Sequence, residues 1–112
     1  MAKGERLGEF EELVLLSVHS LGADAYTVRI QQRLLEDAGR SPALGAIYAT
    51  LDRMERKGYV RSKLRGPTAA RGGRRKRFCT VSGSGMAVLR KQRDTRAMLW
   101  SRIKTGPAGS NA

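Results

Sequence analysis

The fold of this chain is decided by the stretch Arg71-Gly-Gly-Arg-Arg-Lys-Arg77, which runs without a break into Phe78-Cys-Thr-Val81. The two glycines allow a bend, and the segment after the cationic run favours a β-strand. A hairpin holds its side chains in fixed directions, so cations on it can be directed at a partner, whereas cations on a free tail cannot. The stretch therefore predicts the second strand and tip of a basic β-hairpin.

Charge is distributed very unevenly along the chain. Residues 1–60 carry 8 Lys/Arg and 9 Asp/Glu, a net charge of −1, whereas residues 61–112 carry 14 and 1, a net charge of +13. A one-sided positive field of this size indicates a polyanionic partner, with nucleic acid as the first candidate. A ribosomal or histone-like protein and a binder of anionic membranes are the alternatives that charge alone leaves open.

Size and composition bound the remaining possibilities. A chain of 112 residues, 40% of them hydrophobic, predicts one small folded domain rather than wholesale disorder. The single cysteine cannot form an internal disulfide, which fits a reducing compartment. No run approaches the roughly 18 apolar residues of a membrane span, and Met1-Ala-Lys-Gly-Glu5 lacks an apolar signal core. We therefore expect a cytoplasmic, nucleoid-associated protein without a membrane partner.

Apolar spacing predicts two helices in the first forty residues. The first has two apolar faces, one of Leu7, Phe10, Val14, Val18 and Leu21 and a second of Leu13 and Leu16. Such a helix is expected to be buried on both faces, by its own domain and by a second subunit. Gly22-Ala-Asp24 breaks it. The second helix has Tyr26, Ile30, Leu34 and Ala38 on one face and Gly39 as its stop.

A third helix is predicted to follow Ser41-Pro42, which has the pattern of an N-cap and a first helical residue. It is expected to run to about Lys57 and to end at Gly58. The stripe predicted to be buried consists of Leu44, Ile47, Leu51 and Met54, and the opposite face carries Gly45, Ala46, Ala49, Arg53 and Arg56. Small residues near the start of this outward face would let a partner approach closely.

The rest of the chain predicts a hairpin and a last helix. Strands are expected over residues 59–64 and 74–81, with residues 65–73 as the connecting loop, since Pro67 and the glycines suit a loop. A last helix follows Ser82-Gly-Ser-Gly85, and a flexible tail begins at Thr105. The predicted fold is mainly α with a small β-hairpin: a winged helix-turn-helix over residues 1–82, a C-terminal dimerisation helix over 83–104, and a tail over 105–112.

Taken together and in order, several motifs resemble the PadR family of bacterial transcriptional regulators. They are Leu44-Gly-Ala-Ile-Tyr48, Leu51-Asp-Arg-Met-Glu55, Lys57-Gly-Tyr-Val60 and the basic run Arg71–Arg77, with Leu7-Gly-Glu-Phe-Glu-Glu-Leu13 similar to the opening of one branch. The similarity covers roughly residues 7–90. It implies a homodimeric winged-helix DNA-binding protein, usually a repressor, whose last helix serves dimerisation. The short final helix resembles the compact branch, with little room for an effector domain.

The chain departs from the family pattern in two places. It has Phe78-Cys79 where relatives often have two aromatic residues, and Ala25-Tyr26 where many have Gly-Tyr. The first departure puts the packing of the second strand in doubt. Neither changes a residue on which the predicted DNA contacts depend.

The predicted DNA-binding residues come from the second and third helices and the hairpin. Recognition helices enter the major groove N-terminus first, and arginines beside a glycine bend can reach a narrow minor groove. The full set is Tyr26, Ser41, Pro42, Gly45, Ala46, Tyr48, Ala49, Arg53, Arg71, Gly72, Gly73, Arg74, Arg75, Lys76 and Arg77. The alternative for the hairpin is a solubilising basic loop or a targeting-like tract. Tyr48 could equally be a half-buried core residue, and Arg53 could pair within the fold with Asp52 or Glu55.

The predicted dimerisation residues are Leu7, Phe10, Met86, Leu89, Ala97, Trp100 and Ile103. Trp100 has a second interpretation as a stacking surface for a flat apolar ligand, although dimer packing is the commoner use of such a residue. Cys79 is expected to be a small buried residue, with redox sensing through a pKa lowered by Arg77 as the alternative. His19 has no second His or Cys at ligand spacing, so no metal and no cofactor are predicted.

The sequence thus predicts a sequence-specific regulator that binds double-stranded DNA as a homodimer on a pseudo-palindromic site. The competing class is a non-specific architectural or RNA-binding protein, which would carry basic residues on every face, whereas the first three helices are slightly acidic. An enzyme is the remote third option, since neither a nucleophile–base pair nor a phosphate loop is present. No residue pattern supports a small-molecule effector.

Overall fold

The computed structural model describes residues 6–66 and 75–103. In chain order the elements are α1 (Glu9–Leu21), α2 (Thr27–Ala38), α3 (Leu44–Arg56), β1 (Val60–Arg65), β2 (Lys76–Val81) and α4 (Gly83–Ser101), with a short 3-10 helix (Gly22–Asp24) between α1 and α2. Three helices, an antiparallel hairpin and a last helix form a winged helix-turn-helix, which confirms the predicted fold class. The predicted tail from Thr105 onward lies outside the described residues.

Helix α1 buries one apolar side and leaves part of the other open. Val14, Leu15 and Val18 are buried in the core, whereas Leu16 is 46% exposed. The helix begins after Gly8, whose N–H donates to the Glu11 carboxylate at 2.9 Å and so satisfies a backbone group at the helix start. The predicted second apolar side of α1 is therefore present on the protomer surface at Leu16.

The turn between α2 and α3 begins where the sequence predicts. Gly39 adopts a left-handed conformation with φ of 65°, which glycine reaches without steric cost, and it ends α2. The backbone N–H of Arg40 then donates to the carbonyl of Leu34 at 3.1 Å. This bond turns the chain away from α2 toward the start of α3.

The predicted start of α3 at Ser41-Pro42 is wrong by two residues. The N-cap is Ala43, an extended residue whose carbonyl accepts hydrogen bonds from the N–H groups of Ala46 and Ile47. The carbonyl of Pro42 instead accepts from the Gln31 side chain at 2.8 Å. Because this bond ties Pro42 to α2, residues 41–43 serve as the connecting turn, and the helix begins only at Leu44.

The end of α3 is set by Gly58. Its φ is 81°, and its N–H donates to the carbonyl of Glu55 while that of Tyr59 donates to Met54. These two bonds form a Schellman motif, which satisfies carbonyls at the helix end and turns the chain into β1. The predicted stop at Gly58 agrees with this geometry.

The hairpin β1–β2 pairs from Val60↔Val81 at its root to Arg65↔Lys76 at its outer end. We call this hairpin, together with its connecting loop, the wing. Arg65, predicted to begin the loop, is the last residue of β1. The root of β2 is also joined to the segment before α2, because the N–H of Cys79 donates to the carbonyl of Ala25 at 2.9 Å and Tyr26 bridges to Phe78. The wing is therefore built into the helical body on the side of α2.

Only the first half of helix α4 packs against the rest of the protomer. Ser82 caps it by accepting from the N–H of Gly85 at 3.1 Å, as the Ser82–Gly85 break predicts, and the Ser82 hydroxyl donates to the carbonyl of Gly58 at 2.6 Å. Leu89 is buried in the core, but every residue from 93 to 103 is exposed. We call residues 93–103 the α4 arm.

One hydrophobic core unites the three helices, the wing root and the first half of α4. Each large aliphatic side chain that it buries contributes roughly 1.5–3 kcal/mol. Its members are Leu7, Val14, Leu15, Val18, Ala25, Ile30, Leu34, Ile47, Leu51, Met54, Tyr59, Val60, Cys79, Val81 and Leu89. Of the predicted stripe on α3, only Leu44 is missing from this core. Leu7 and Leu89 were predicted to be dimerisation residues, and since they are buried within the protomer, they offer no surface to a partner.

Candidate nucleic-acid interface

The outward face of α3 is open and nearly smooth at its N-terminal end. Gly45, Ala46 and Ala49 are exposed, and the space around a Cβ built on Gly45 is empty. Ile47, Thr50, Leu51 and Met54 point into the core and fix the helix beneath this face. The exposed residues are short, so a partner can approach the backbone of α3 closely.

Tyr48 lies on the same exposed face. It is 46% exposed, so about half of the residue is open to a partner. A tyrosine in this position presents a phenol hydroxyl that can donate to a phosphate or to a base edge. Tyr48 is thus the longest side chain on the N-terminal half of this face.

Arg53 makes hydrogen bonds within the fold, although 43% of its side chain is exposed. Its Nε donates to the Glu11 carboxylate at 3.3 Å and its Nη2 to the Thr50 hydroxyl at 3.3 Å. The alternative of an internal pair is therefore the one that the structure shows, but the partner is Glu11 of α1 and not Asp52 or Glu55. This partner could not be predicted from local sequence. Glu11 and Arg53 are 42 positions apart, and they meet only because α1 packs on α3.

The wing presents a row of exposed cations along both strands. Within the part of the chain that the structure describes, these are Arg61, Lys63, Arg65, Arg75 and Lys76. Four further predicted DNA-binding residues, Arg71, Gly72, Gly73 and Arg74, lie outside the described residues. The described part of the wing alone is thus a strongly positive ridge beside α3.

Aromatic side chains contact the two cations at the outer end of the paired strands. The Arg65 guanidinium lies 4.5 Å from the centre of the Phe78 ring, and the Lys76 ammonium lies 4.2 Å from the centre of the Tyr26 ring. Tyr26 and Phe78 meet edge to face with ring centres 5.3 Å apart. Tyr26, half-buried at the N-cap of α2, therefore contacts the wing through both Lys76 and Phe78.

Arg77 was predicted to contact DNA, but its guanidinium is turned toward α3. It donates to the Asp52 carboxylate at 2.8 Å and to the Glu55 carboxylate at 2.6 Å. The prediction treated the basic run as a single surface, whereas alternate residues of a strand point to opposite faces. The signal that could have found this pair is the acidic i, i+3 spacing of Asp52 and Glu55 on the helix beside the hairpin.

Cys79 is buried within β2, and its environment does not favour a role in redox sensing. Burial raises the pKa of the Cys79 thiol to about 11, although the nearby Arg77 charge lowers it in part. A thiol with such a pKa is not ionised at neutral pH and is a poor nucleophile. Cys79 is therefore a small core residue, and the departure from two aromatics leaves Phe78 alone to pack against Tyr26.

The α4 arm carries an unpartnered apolar surface. Trp100 is 70% exposed and Leu99 63% exposed, and Met98 and Ile103 are exposed as well. Ala97 lies in the same exposed run, whereas Phe10 and Met86 are partly buried against the core. The protomer alone does not enclose a ligand at Trp100. Met98 and Leu99 were missed because the predicted stripe followed one helical face only.

The arm is anchored to the body by polar contacts with α1. The Arg96 guanidinium donates to both oxygens of Glu12, at 2.6 and 2.7 Å, and the Gln92 side chain accepts from the N–H of Leu7 at 2.5 Å. Glu12 raises the pKa of Arg96 above its ordinary value. These contacts hold α4 beside the first half of α1. Leu16 lies exposed one helical turn after Glu12.

Residues 6–66 and 75–103 include neither a cluster of metal ligands nor a helix that could span a membrane. These residues contain no group of three or more His, Cys, Asp or Glu that could hold a metal ion. No helix among them is long and apolar enough to cross a membrane.

The geometry defines a winged helix-turn-helix with a cationic wing, and the same fold recurs in solved structures. A PadR-like transcription factor from Bacteroides fragilis matches with a TM-score of 0.70 at 20% identity, over 84% of this chain and 85% of that one. A PadR family transcription regulator from Clostridium difficile R20291 matches with a TM-score of 0.66 at 21% identity, over 84% and 94%. One from Eggerthella lenta DSM 2243 matches with a TM-score of 0.64 at 20% identity, over 93% and 88%.

The chain thus has the PadR-like fold, which confirms the resemblance found in its motifs. These neighbours are described as transcription factors or regulators and not as enzymes. No family model and no curated protein matches the sequence.

Proposed function

We propose that this protein is a transcriptional regulator that binds double-stranded DNA sequence-specifically. The observation that carries the proposal is the pairing of an open α3 face, with Tyr48 exposed on it, and a ridge of exposed wing cations beside it. In this fold the α3 face enters the major groove and the wing lies along the adjacent backbone. The solved structures with the same fold, described as transcription regulators, support this assignment.

The two parts of the interface have different tasks in this proposal. Cations on the wing contact phosphates, which gives affinity and orientation but carries no sequence information. Gly45, Ala46, Tyr48 and Ala49 meet the base edges, where short side chains allow close apolar contact and Tyr48 supplies a polar group. With few long polar side chains on α3, sequence is read through a small number of contacts together with the shape of the DNA.

We further propose that the protein acts as a homodimer through its α4 arm and the exposed side of α1. The support is the apolar surface of Met98, Leu99, Trp100 and Ile103, together with Leu16. A symmetric dimer places two recognition helices on a two-fold axis, so its operator is pseudo-palindromic. We assign the protein the role of a nucleoid-associated repressor, because its motifs resemble those of the PadR family, whose members are usually repressors.

The direct test is a gel-shift titration of the full chain against three nucleic acids. These are the DNA upstream of its own gene, a scrambled duplex of the same base composition, and a single-stranded RNA of the same length. We expect binding to the upstream DNA at least ~10³-fold tighter than to the scrambled duplex, with steep salt dependence. Equal affinity for the two duplexes would contradict a specific regulator and support an architectural protein, and preference for RNA would support the RNA-binding alternative.

A further inference from the structure

One group of charged side chains joins the wing to α3. Arg77 of β2 donates to Asp52 at 2.8 Å and to Glu55 at 2.6 Å, both on α3. Glu55 also accepts from the hydroxyl of Ser62, which lies on β1, at 2.8 Å. Both strands of the wing are thus bonded to the same turn of the recognition helix. We call these four residues the wing latch.

Arg77 differs from the other cations of the basic run that the structure describes. Its side chain is only 19% exposed, whereas Arg75 and Lys76 are exposed. Two carboxylates beside one guanidinium also compensate its charge. Although burial lowers the pKa of Arg77, the hydrogen bonds to Asp52 and Glu55 outweigh it and raise that pKa above the ordinary value. Arg77 is therefore committed to the fold and adds little to the field that faces outward.

The other face of β2 is held as well. Phe78, the next residue, packs edge to face on Tyr26 at the start of α2, with the Arg65 guanidinium over its ring. Because successive strand residues point to opposite faces, β2 is fixed toward α3 through Arg77 and toward α2 through Phe78. Neither helix can then change its angle to the wing without breaking one of these contacts.

We propose that Arg77 is a positioning residue, which sets the wing at a fixed distance and angle from α3 so that both reach DNA in one register. The proposal rests on the proposed function, since register has meaning only if α3 reads a base sequence. Non-specific binding through phosphates tolerates a loose wing, because any phosphate serves. Specific binding does not, because the wing must contact its phosphates while α3 is seated on its bases.

Arginine is suited to this role and lysine is not. The guanidinium is a planar fork, and here its two terminal nitrogens serve two different carboxylates. An ammonium at the end of a flexible stem keeps the positive charge but cannot hold both acids in a fixed plane. A latch role and a phosphate-binding role for Arg77 therefore lead to opposite predictions for Arg77→Lys.

The two roles also differ in what they predict for the acids. If Arg77 served as a phosphate contact, replacing Asp52 and Glu55 by their amides would free it and remove two negative charges near DNA, so affinity for all sequences would rise. If Arg77 positions the wing, the same change releases the wing, so the ratio of operator affinity to non-specific affinity falls even though the loss of two negative charges favours binding to any DNA. Both acids are about half exposed, so the double variant retains a folded core.

The experiment uses the full chain and an operator selected from random DNA, with a scrambled duplex as the non-specific probe. Fluorescence anisotropy gives the ratio of the two affinities for the wild type, Arg77→Lys, the Asp52→Asn/Glu55→Gln double variant, and Arg90→Lys as the matched control. We expect the ratio to fall about tenfold or more in the first two variants, on the scale of one misread base pair. It should stay unchanged in Arg90→Lys, because Arg90 is exposed on α4, outside the wing and the α3 face.

An unchanged ratio in Arg77→Lys or a uniform rise in affinity in the double variant would overturn the proposal. Thermal unfolding of each variant shows that the protein measured is folded, and if Arg77→Lys does not fold, the double variant decides alone. A wild type that does not distinguish the operator from the scrambled duplex refutes the proposed function instead. Failure of the function and failure of the latch are thus separate results.

Discussion

Gly85 occupies the point where α4 passes closest to the root of the wing. A Cβ on Gly85 would lie 2.4 Å from the carbonyl oxygen of Tyr59 and 2.8 Å from the side chain of Val81. The first of these neighbours is backbone and cannot move aside cheaply. The absence of a side chain at Gly85 is therefore what lets α4 begin directly on the hairpin.

Gly85→Ala should be clearly destabilising for this reason. We expect the free energy of unfolding to fall by about 1–3 kcal/mol, the usual cost of overpacking a tight site. Gly83→Ala is the matched control, since a Cβ there meets open space in the same first turn of α4. It should be neutral or stabilising by up to about 1 kcal/mol. Urea unfolding followed by circular dichroism compares the two, and equal stability would contradict the packing described.

Cys79 should be unreactive in the folded protein. Its pKa of about 11, raised chiefly by burial, leaves almost no thiolate at pH 8. We expect labelling by iodoacetamide at pH 8 to be negligible in native protein and complete in 6 M guanidinium chloride. Rapid labelling of the native protein, followed by mass spectrometry, would restore the redox alternative.

At the scale of single elements, local patterns located the helices and the hairpin. Gly39 and Gly58 were recognisable as helix ends because each requires a left-handed backbone, and Ser82 as a cap because its hydroxyl can serve a free N–H. The start of α3 was not recognisable in this way, because the hydrogen bond from Gln31 to the Pro42 carbonyl forms only once α2 and α3 are packed. Local sequence contains no trace of such a tertiary contact.

For the same reason, the contacts of individual cations in the candidate interface could not be predicted from local sequence. The sequence identified the basic hairpin from the glycine bend and the β-prone segment after the basic run, but it did not show which of these cations bind acids within the fold. Arg77 and Arg53 both find acids on another element, Asp52 and Glu55 for the first and Glu11 for the second. These pairs could be identified only once it was known which helix packs against each arginine.

Arg75 is the exposed wing cation best suited to a test of the wing as an element. Arg75→Gln should weaken binding to operator and scrambled DNA alike, because it removes a cation that neutralises a phosphate. The slope of log affinity against log salt should become shallower by about 0.9 for each phosphate that is no longer neutralised. Arg90→Gln makes the same charge change on α4, outside both the wing and the α4 arm, and should leave the slope as it is. Equal slopes for Arg75→Gln and the wild type would remove Arg75 from the interface.

At the scale of the whole molecule, the apolar surface of the α4 arm is the clearest sign of a missing partner. Residues 93–103 contribute nothing to the protomer core, yet they include Met98, Leu99, Trp100 and Ile103. A helix end with this composition is unfavourable in water on its own. In the proposed homodimer, a second copy buries these side chains.

Replacing Leu99 and Trp100 together by alanine should convert the dimer to a monomer without unfolding it. Both side chains are mostly exposed on the protomer, so the change removes little from the core. Sedimentation equilibrium gives the association state, and operator affinity should fall because one protomer binds only one half-site. Val28→Ala, on the exposed side of α2, is the matched control and should stay dimeric. A double variant that remains dimeric would contradict the assignment of the arm.

The proposed function depends above all on whether this molecule reads a DNA sequence. Selection of bound fragments from a pool of random duplexes tests this most directly, because the pool favours no operator over another at the start. We predict enrichment of one pseudo-palindromic motif, with two half-sites about one helical turn, or about 10 base pairs, apart. Recovery of fragments without any shared motif would contradict sequence-specific binding and leave a non-specific basic protein in its place.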